Sequence, residues 1–178
     1  IVEWKSRLWA LSDDPILADA VFVTDTNKIY QWANQVVAYP TGQDSTGVVG
    51  FGVRRNQLGL FKANGLFQVS GTASSTGIAF GNLTVSQLVY GLGGCESSDT
   101  ILTINDKVYW LSRDGVYRWD DSGVQNISNA RVAPWFKTNT YFNRARFGNA
   151  FARYNELRNQ YELHLAALGS TTADRWIS

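Results

Sequence analysis

An all-β chain built from repeated antiparallel meanders of about 50 residues, as in part of a β-propeller, is the fold class this sequence predicts, and three observations predict it. The first is the stretch Ser98 to Ser128, SDTILTINDKVYWLSRDGVYRWDDSGVQNIS. Ile101–Ile104 is apolar and β-branched, Asn105-Asp106-Lys107 breaks it, Val108–Leu111 resumes, Arg113-Asp114-Gly115 breaks again, and Val116–Trp119 follows. That is strand, turn, strand, turn, strand, with Asp114-Gly115 expected to supply the positive φ angles of a tight hairpin. The second is that this text recurs. Laying Gly65 on Gly115, a displacement of 50 residues, sets Leu58 on Val108, Leu60 on Trp110, Phe61 on Leu111, Asn64 on Asp114, Leu66 on Val116 and Phe67 on Tyr117 without a gap. The third is that no stretch holds a 3.6-residue period for three turns.

Taken in order, residues 7 to 32 give RLWAL, a break at Ser12-Asp13-Asp14-Pro15, AVFVTD, a break at Thr26-Asn27, and KIYQW. Three short strands are the simplest expectation, with room for a turn of helix after Asp14 because Pro15 suits a first helical position. A polar connector with Thr41-Gly42-Gln43-Asp44-Ser45-Thr46-Gly47 follows Trp32. After the first copy, Ile78-Ala79-Phe80 and Leu83–Tyr90 stand in a Gly, Ser and Thr-rich run; a fourth strand per unit fits there, and Gly91-Leu92-Gly93-Gly94 fits a turn between units. Ala130–Asn143, with Pro134, Trp135 and Phe136, reads as a loop with an apolar anchor, and AFARY and QYELHL form a last hairpin. Residues 1–178 are thus expected to be a portion of one propeller domain of about three to four blade-like units. Ile1-Val2-Glu3-Trp4-Lys5 has neither an initiator Met nor a signal pattern, and Ala173–Ser178 stops in strand-like text, so a piece of a longer chain is expected.

Composition narrows the function classes. With 44% apolar residues, 7 Trp, 8 Tyr and 9 Phe the chain folds. A net charge of +1 gives no electrostatic case for nucleic acid as the main partner. Cys95 is the only cysteine, which removes an internal disulfide and suits a reducing compartment, and no apolar run reaches the length of a membrane span.

Chemistry-bearing residues are sparse. One histidine, His164, and one cysteine do not make a zinc site of the usual kind, so no metal or cofactor is expected. Alternation in QYELHL places His164 on one face with Glu162. Asp13-Asp14 and Asp120-Asp121-Ser122-Gly123 match turn chemistry better than a calcium loop. Asp25, Asp114, Glu156 and Glu162 are the carboxylates available to a glycosidase-like pair, and nothing in their setting marks them as buried. There is no G-x-S-x-G; Gly91–Gly94 lacks the Lys-Ser/Thr of a phosphate loop; Asn82-Leu83-Thr84 and Asn126-Ile127-Ser128 match the glycosylation sequon, which carries weight only in a secreted chain. Arg144, Arg146, Arg153 and Arg158 gather near one hairpin, where a solvated sheet face is preferred to a DNA- or subunit-facing patch. Trp4, Trp9, Trp32, Trp110, Trp119, Trp135 and Trp176 are expected between packed sheets; the other reading is a sugar-stacking surface that fails when Trp119 or Trp135 becomes Ala. No catalytic, cofactor-binding or metal residues are assigned.

With these residues laid out, the chain resembles the propeller-type tail structural proteins of short-tailed bacteriophages, the tail nozzle or tail-tube proteins and the related packaged-DNA stabilisation proteins. The carrying phrases are RLWAL, AVFVTD with IYQW, GVRRNQLGLFKANGLFQVSG, KVYWLSRDGVYRWDDSGVQNIS and ARYNELRNQYELHL. The resemblance implies a non-enzymatic virion structural protein, assembled in the host cytoplasm as a ring of copies below the portal. Its partners would be itself, neighbouring tail proteins or a portal adaptor, with passing contact to genomic DNA. The chain shows none of the long helical or tube-forming text such proteins carry outside the propeller, so lining of a DNA channel does not carry over. A carbohydrate- or receptor-binding propeller, and more remotely a propeller hydrolase, are the other readings.

Overall fold

The computed structural model describes residues 1–14, 16, 18, 20–25, 28–38, 46–71, 83–91, 93–128 and 132–178, with backbone alone at 25, 28–29, 31, 33–38 and 83. Strand text becomes strand almost throughout. The first antiparallel sheet holds β1 (Val2–Trp4), β2 (Arg7–Leu11), β3 (Ala20–Asp25) and β4 (Lys28–Ala38); the second holds β5 (Val48–Arg54), β6 (Gln57–Lys62), β7 (Gly65–Gly71) and β8 (Leu83–Tyr90). The third holds β9 (Leu102–Ile104), β10 (Lys107–Ser112), β11 (Gly115–Asp120) and β12 (Gly123–Asn126), and the fourth β13 (Phe151–Asn155), β14 (Gln160–Ala166) and β15 (Ala173–Ile177). Every sheet is a meander in chain order. The protein is all-β.

The 50-residue repeat is visible in the ladders themselves. Leu58 faces Val69, Leu60 faces Phe67 and Phe61 faces Leu66; 50 residues on, Val108 faces Trp119, Trp110 faces Tyr117 and Leu111 faces Val116. The preceding hairpins repeat as well: Glu3 pairs with Leu8, Val53 with Leu58 and Thr103 with Val108. A displacement that preserves every opposing pair keeps each side chain on the same face of its sheet, because a slip of one residue would invert the faces. The tight turns of these hairpins carry non-glycine residues at positive φ, at Lys5 (53°), Ser6 (57°), Arg55 (48°), Asn105 (49°) and Asp106 (60°), the geometry that matches the twist of a two-residue hairpin.

Packing follows the chain. Trp4, Trp9, Val21 and Val23 of the first sheet meet Leu58, Leu60, Phe67 and Val69 of the second. Phe61 and Leu66 of the second meet Val108, Trp110, Tyr117 and Trp119 of the third. Leu111 and Val116 of the third meet Leu163 and Leu165 of the fourth, with Phe136, Phe142 and Phe147 closing the side. The second and third sheets are therefore buried on both faces, which is why LGLF and VYWL read as continuous apolar runs. The first strands of the sheets also succeed one another, β1 against β5, β5 against β9 and β9 against β13. Thr103 Oγ1 donates to the Val53 carbonyl at 2.8 Å and Tyr161 OH to the Thr100 carbonyl at 2.8 Å, so polar bonds join neighbouring sheets as well.

Several expectations are corrected. The first sheet has a strand before RLWAL, and β4 runs on from KIYQW to Ala38 because Val36 and Val37 find partners in Phe22 and Val21. The anchor near Trp135 is a short helix, α1 (Ala133–Lys137), begun by Pro134 in its first turn and held by Phe136, which is fully buried. The two-residue loop after β10 is Arg113-Asp114, and Gly115, already paired with Ser112, has φ +152°. Glycine is needed there for space: a Cβ would lie 2.6 Å from Ser128 Oγ, which accepts the Val116 N–H at 2.8 Å. Pro15, Thr26-Asn27, residues 41–45 and Ile78-Ala79-Phe80 lie outside the described residues.

Candidate functional site

Two places gather polar and aromatic groups at the fourth sheet. The first is its outer face, turned away from the third sheet. Phe151 pairs with His164 across β13 and β14, and His164 pairs with Trp176 across β14 and β15, so these three rings share one face. The Phe151 and His164 rings stack at 4.5 Å, 5° from parallel. Two residues away on that face, Arg153 Nε donates to Glu162 Oε2 at 2.6 Å and Asn155 Nδ2 to Glu162 Oε1 at 2.8 Å. The Glu162 side chain is 3% exposed, and the Asn155 and Arg153 hydrogen bonds hold its carboxyl below the usual range. His164 Nε2 is buried with no hydrogen-bond partner among the described residues, and burial, helped by Arg153 and opposed by Glu162, lowers the imidazole pKa.

The second place is a cavity of about 370 Å³ between the third and fourth sheets. Val116, Phe136 and Leu163 form its apolar floor, with Ser128, Asn159 and Gln160 at the rim. The Tyr109 and Tyr161 rings stack at 5.5 Å along one wall. Burial raises the Tyr161 phenol far above its ordinary value, so it stays a neutral donor to Thr100.

The remaining sequence candidates disperse into local structure. Asp14 Oδ1 accepts the Ile16 N–H at 2.9 Å and Asp120 Oδ1 the Ser122 N–H at 2.8 Å, which is turn chemistry as expected. Asp121 joins Arg54 and Arg55, and Asp114 Oδ2 accepts from Tyr117 OH at 3.1 Å. Asn126 Oδ1 caps the Ser128 N–H at 2.9 Å, while Asn82 lies outside the described residues and Asp25 is described in backbone only. Arg144 donates to the carbonyls of Lys137 and Arg113, far from the work of Arg153, so the four arginines are not one patch of shared function. Gly91, Gly93 and Gly94 wrap the hairpin tip at Ala63-Asn64: Gly91 N–H donates to the Asn64 carbonyl at 2.7 Å and Cys95 N–H to the Lys62 carbonyl at 2.8 Å. Cys95 is fully buried, and burial raises its thiol pKa to about 12, which makes it an inert packing residue.

Among the described residues no three His, Cys, Asp or Glu side chains converge to hold a metal ion. Trp4, Trp9, Trp110 and Trp119 are buried between sheets, whereas Trp32 and Trp176 are 41% and 54% exposed. Sequence reasoning missed how deeply Glu162 is held. Its alternation with His164 was readable; the partners Arg153 and Asn155, from the opposite strand, become visible only once the hairpin register is known. No helix among the described residues is long and apolar enough to cross a membrane. No protein-family model matches the chain, and no curated protein matches it.

Proposed function

We propose that the protein is a non-enzymatic structural component of a phage tail, a nozzle or tube protein whose β-propeller assembles into a ring below the portal. One observation carries the scaffold part of this reading: the first hairpin repeats its cross-strand register at 50-residue spacing in three sheets, the second hairpin does so in two of them, and the sheets pack in succession through their first strands. Repetition of one meander, with successive cores between sheets, is how a propeller grows. The tail assignment rests on the phrases LFKANGLFQVSG and VYWLSRDGVYR, which resemble that family. The charged groups fit a scaffold too: Glu162 is engaged with Arg153 across neighbouring strands and Asp121 with Arg54 across neighbouring sheets. A carboxylate held ionised by two donors is suited to structure and poorly suited to proton donation near neutral pH.

Electron microscopy of phage particles labelled with antibody against the protein tests this. Label at the tail, together with rings in preparations of the purified protein, is the expected result. Unlabelled particles and a monomer at all concentrations would sink the reading.

A carbohydrate-binding module is the second reading, favoured by the exposed Trp176 and Phe151 flanking His164. Trp119, 2% exposed, does not serve it. Glycan-array binding that disappears in Trp176→Ala and persists in a control variant at Ile16 would bring it forward.

A further inference from the structure

A further cavity, of about 280 Å³, opens between the β10–β11 turn and the 3-10 helix Arg144–Asn149. Arg113, Arg144, Ala145 and Phe147 line it, and Phe147, 1% exposed, is its apolar floor. The two arginines are held in opposite ways. Arg144 is pinned: Nη1 donates to the Lys137 carbonyl at 3.1 Å, Nη2 to the Arg113 carbonyl at 3.4 Å, and the backbone N–H to Asn139 Oδ1 at 3.3 Å. Its Nε is buried with no hydrogen-bond partner among the described residues. Buried donors are nearly always paired, so an unpaired one on a residue that lines a cavity marks a place where an acceptor is wanting. Arg113 has a side chain 69% exposed, with Nε 3.3 Å from Glu96 Oε1 and both Nη groups without a partner among the described residues. Asp114, next in sequence, is engaged elsewhere, accepting from Tyr117 OH at 3.1 Å and Asn126 Nδ2 at 3.5 Å. Two guanidinium groups thus meet the single paired carboxylate of Glu96, and the cavity keeps a net positive charge.

We propose that this cavity binds a small dianionic oxyanion, inorganic phosphate or the phosphate of a monoester, with Arg144 as the fixed donor and Arg113 as the arm that closes on the outer oxygens. A guanidinium fork matches phosphate oxygens two at a time, and hydrogen bonds between charged partners are the short, strong ones. A long polyanion is the poorer fit, because a net charge of +1 gives no extended field to hold one. Glu96 competes with the anion for Arg113, so it limits affinity. The inference stands on these side chains, whatever assembly the protein belongs to.

The test titrates inorganic phosphate into the 178-residue protein at about pH 7, with sodium chloride holding the ionic strength constant, and follows the arginine Nε–H resonances by NMR. A saturable shift of the Arg144 Nε–H is expected, with a Kd of about 1 mM or tighter. Arg113→Gln removes the closing arm and leaves the backbone carbonyl that Arg144 holds, so it should weaken binding at least about tenfold. Glu96→Gln should act the other way and tighten binding, since it frees Arg113. Arg158→Gln, an equal loss of charge on the β13–β14 turn, should leave the affinity unchanged. Absence of saturation by about 20 mM phosphate overturns the proposal, as do equal losses in Arg113→Gln and Arg158→Gln, which would reduce the effect to overall charge. Weaker binding in Glu96→Gln also overturns it. So does a short DNA duplex that binds more tightly than phosphate and loses its affinity in Arg113→Gln, because the arginines then serve a polymer.

Discussion

Arg54 of the second sheet reaches across to Asp121 of the third, donating from Nη2 to its carboxylate while the guanidinium carbon stands 5.8 Å from the centre of the Trp119 ring. The Arg54 side chain is 7% exposed, with Nη1 bonded to Gln57 Oε1 at 3.0 Å; Asp121 is 68% exposed and also takes Arg55. The buried partner is the one that suffers when the pair is broken, since its charge stays desolvated.

Asp121→Asn is therefore expected to lower the urea midpoint at about pH 7, and the sign of its pH dependence is fixed. The hydrogen bond from Arg54 depresses the Asp121 carboxyl below its ordinary value, so its contribution is complete above about pH 4 and fades as pH falls through the lower folded value. Urea melts of wild type and variant should draw together as pH falls below the ordinary carboxyl value. A gap that stays constant over that range would show that Asp121 acts by something other than its charge.

Two glycines of one connector should behave oppositely. A Cβ on Gly94 would stand 2.1 Å from the Ala63 carbonyl oxygen, backbone against backbone, in the segment where Cys95 N–H bonds Lys62. Gly91 has φ +84° but nothing within 4 Å of a Cβ. Gly91→Ala is expected to cost about 1–2 kcal/mol of backbone strain, whereas Gly94→Ala should cost more than about 3 kcal/mol or abolish folding. Denaturant unfolding of the two variants decides it, and equal losses would count against the close approach.

How much of this was readable beforehand depends on which interactions are local. Phe61 and Leu111 announced themselves as equivalent because sheet position is written in alternation and in turn residues close in sequence. The extension of β4 to Ala38 was not legible, since Val36 and Val37 look like loop text until Phe22 and Val21 are set opposite them. The α1 turn escaped because five residues around a buried Phe136 are too few to show a helical period. Glu162 looked like any strand carboxylate; its burial with Arg153 and Asn155 comes from a cross-strand register that composition does not encode. The exposed placement of Trp176 beside His164, and of Trp32, could not be told from the burial of Trp110 and Trp119, because all are equally apolar letters on strands.

Trp110 tests the middle of the stack. It is fully buried, packs edge-on against Phe61 at 5.0 Å, and its Nε1 donates to the Gly93 carbonyl at 3.0 Å. Trp110→Ala should cost about 3–5 kcal/mol from lost burial and the cavity left behind. Trp110→Phe keeps most of the ring and strands the Gly93 carbonyl, so it should lose distinctly less, though more than the about 1 kcal/mol of a single hydrogen bond. Equilibrium unfolding by tryptophan-independent circular dichroism measures both, and a Phe variant as damaged as the Ala variant would contradict this division.

His164 gives the protein a pH dependence that can be assigned without ambiguity, because it is the only histidine in the chain. Its ring is stacked on Phe151, and burial lowers its pKa from the ordinary value of about 6.5, with Arg153 adding to the shift and Glu162 opposing it. The unfolded chain then binds a proton over a window in which the folded one does not. Stability from this group is complete above about pH 6.5 and declines as pH falls through the window down to the folded pKa. Imidazole resonances followed by NMR should titrate below the value of an unfolded peptide, and His164→Gln should remove the slope of unfolding free energy between about pH 7 and pH 5. Phe151→Ala, which opens the ring to water and leaves Arg153 and Glu162 in place, should move the pKa back up. If instead the wild-type imidazole titrates above the peptide value, the Glu162 carboxylate dominates the site and the stacked, desolvated ring is not what governs its charge.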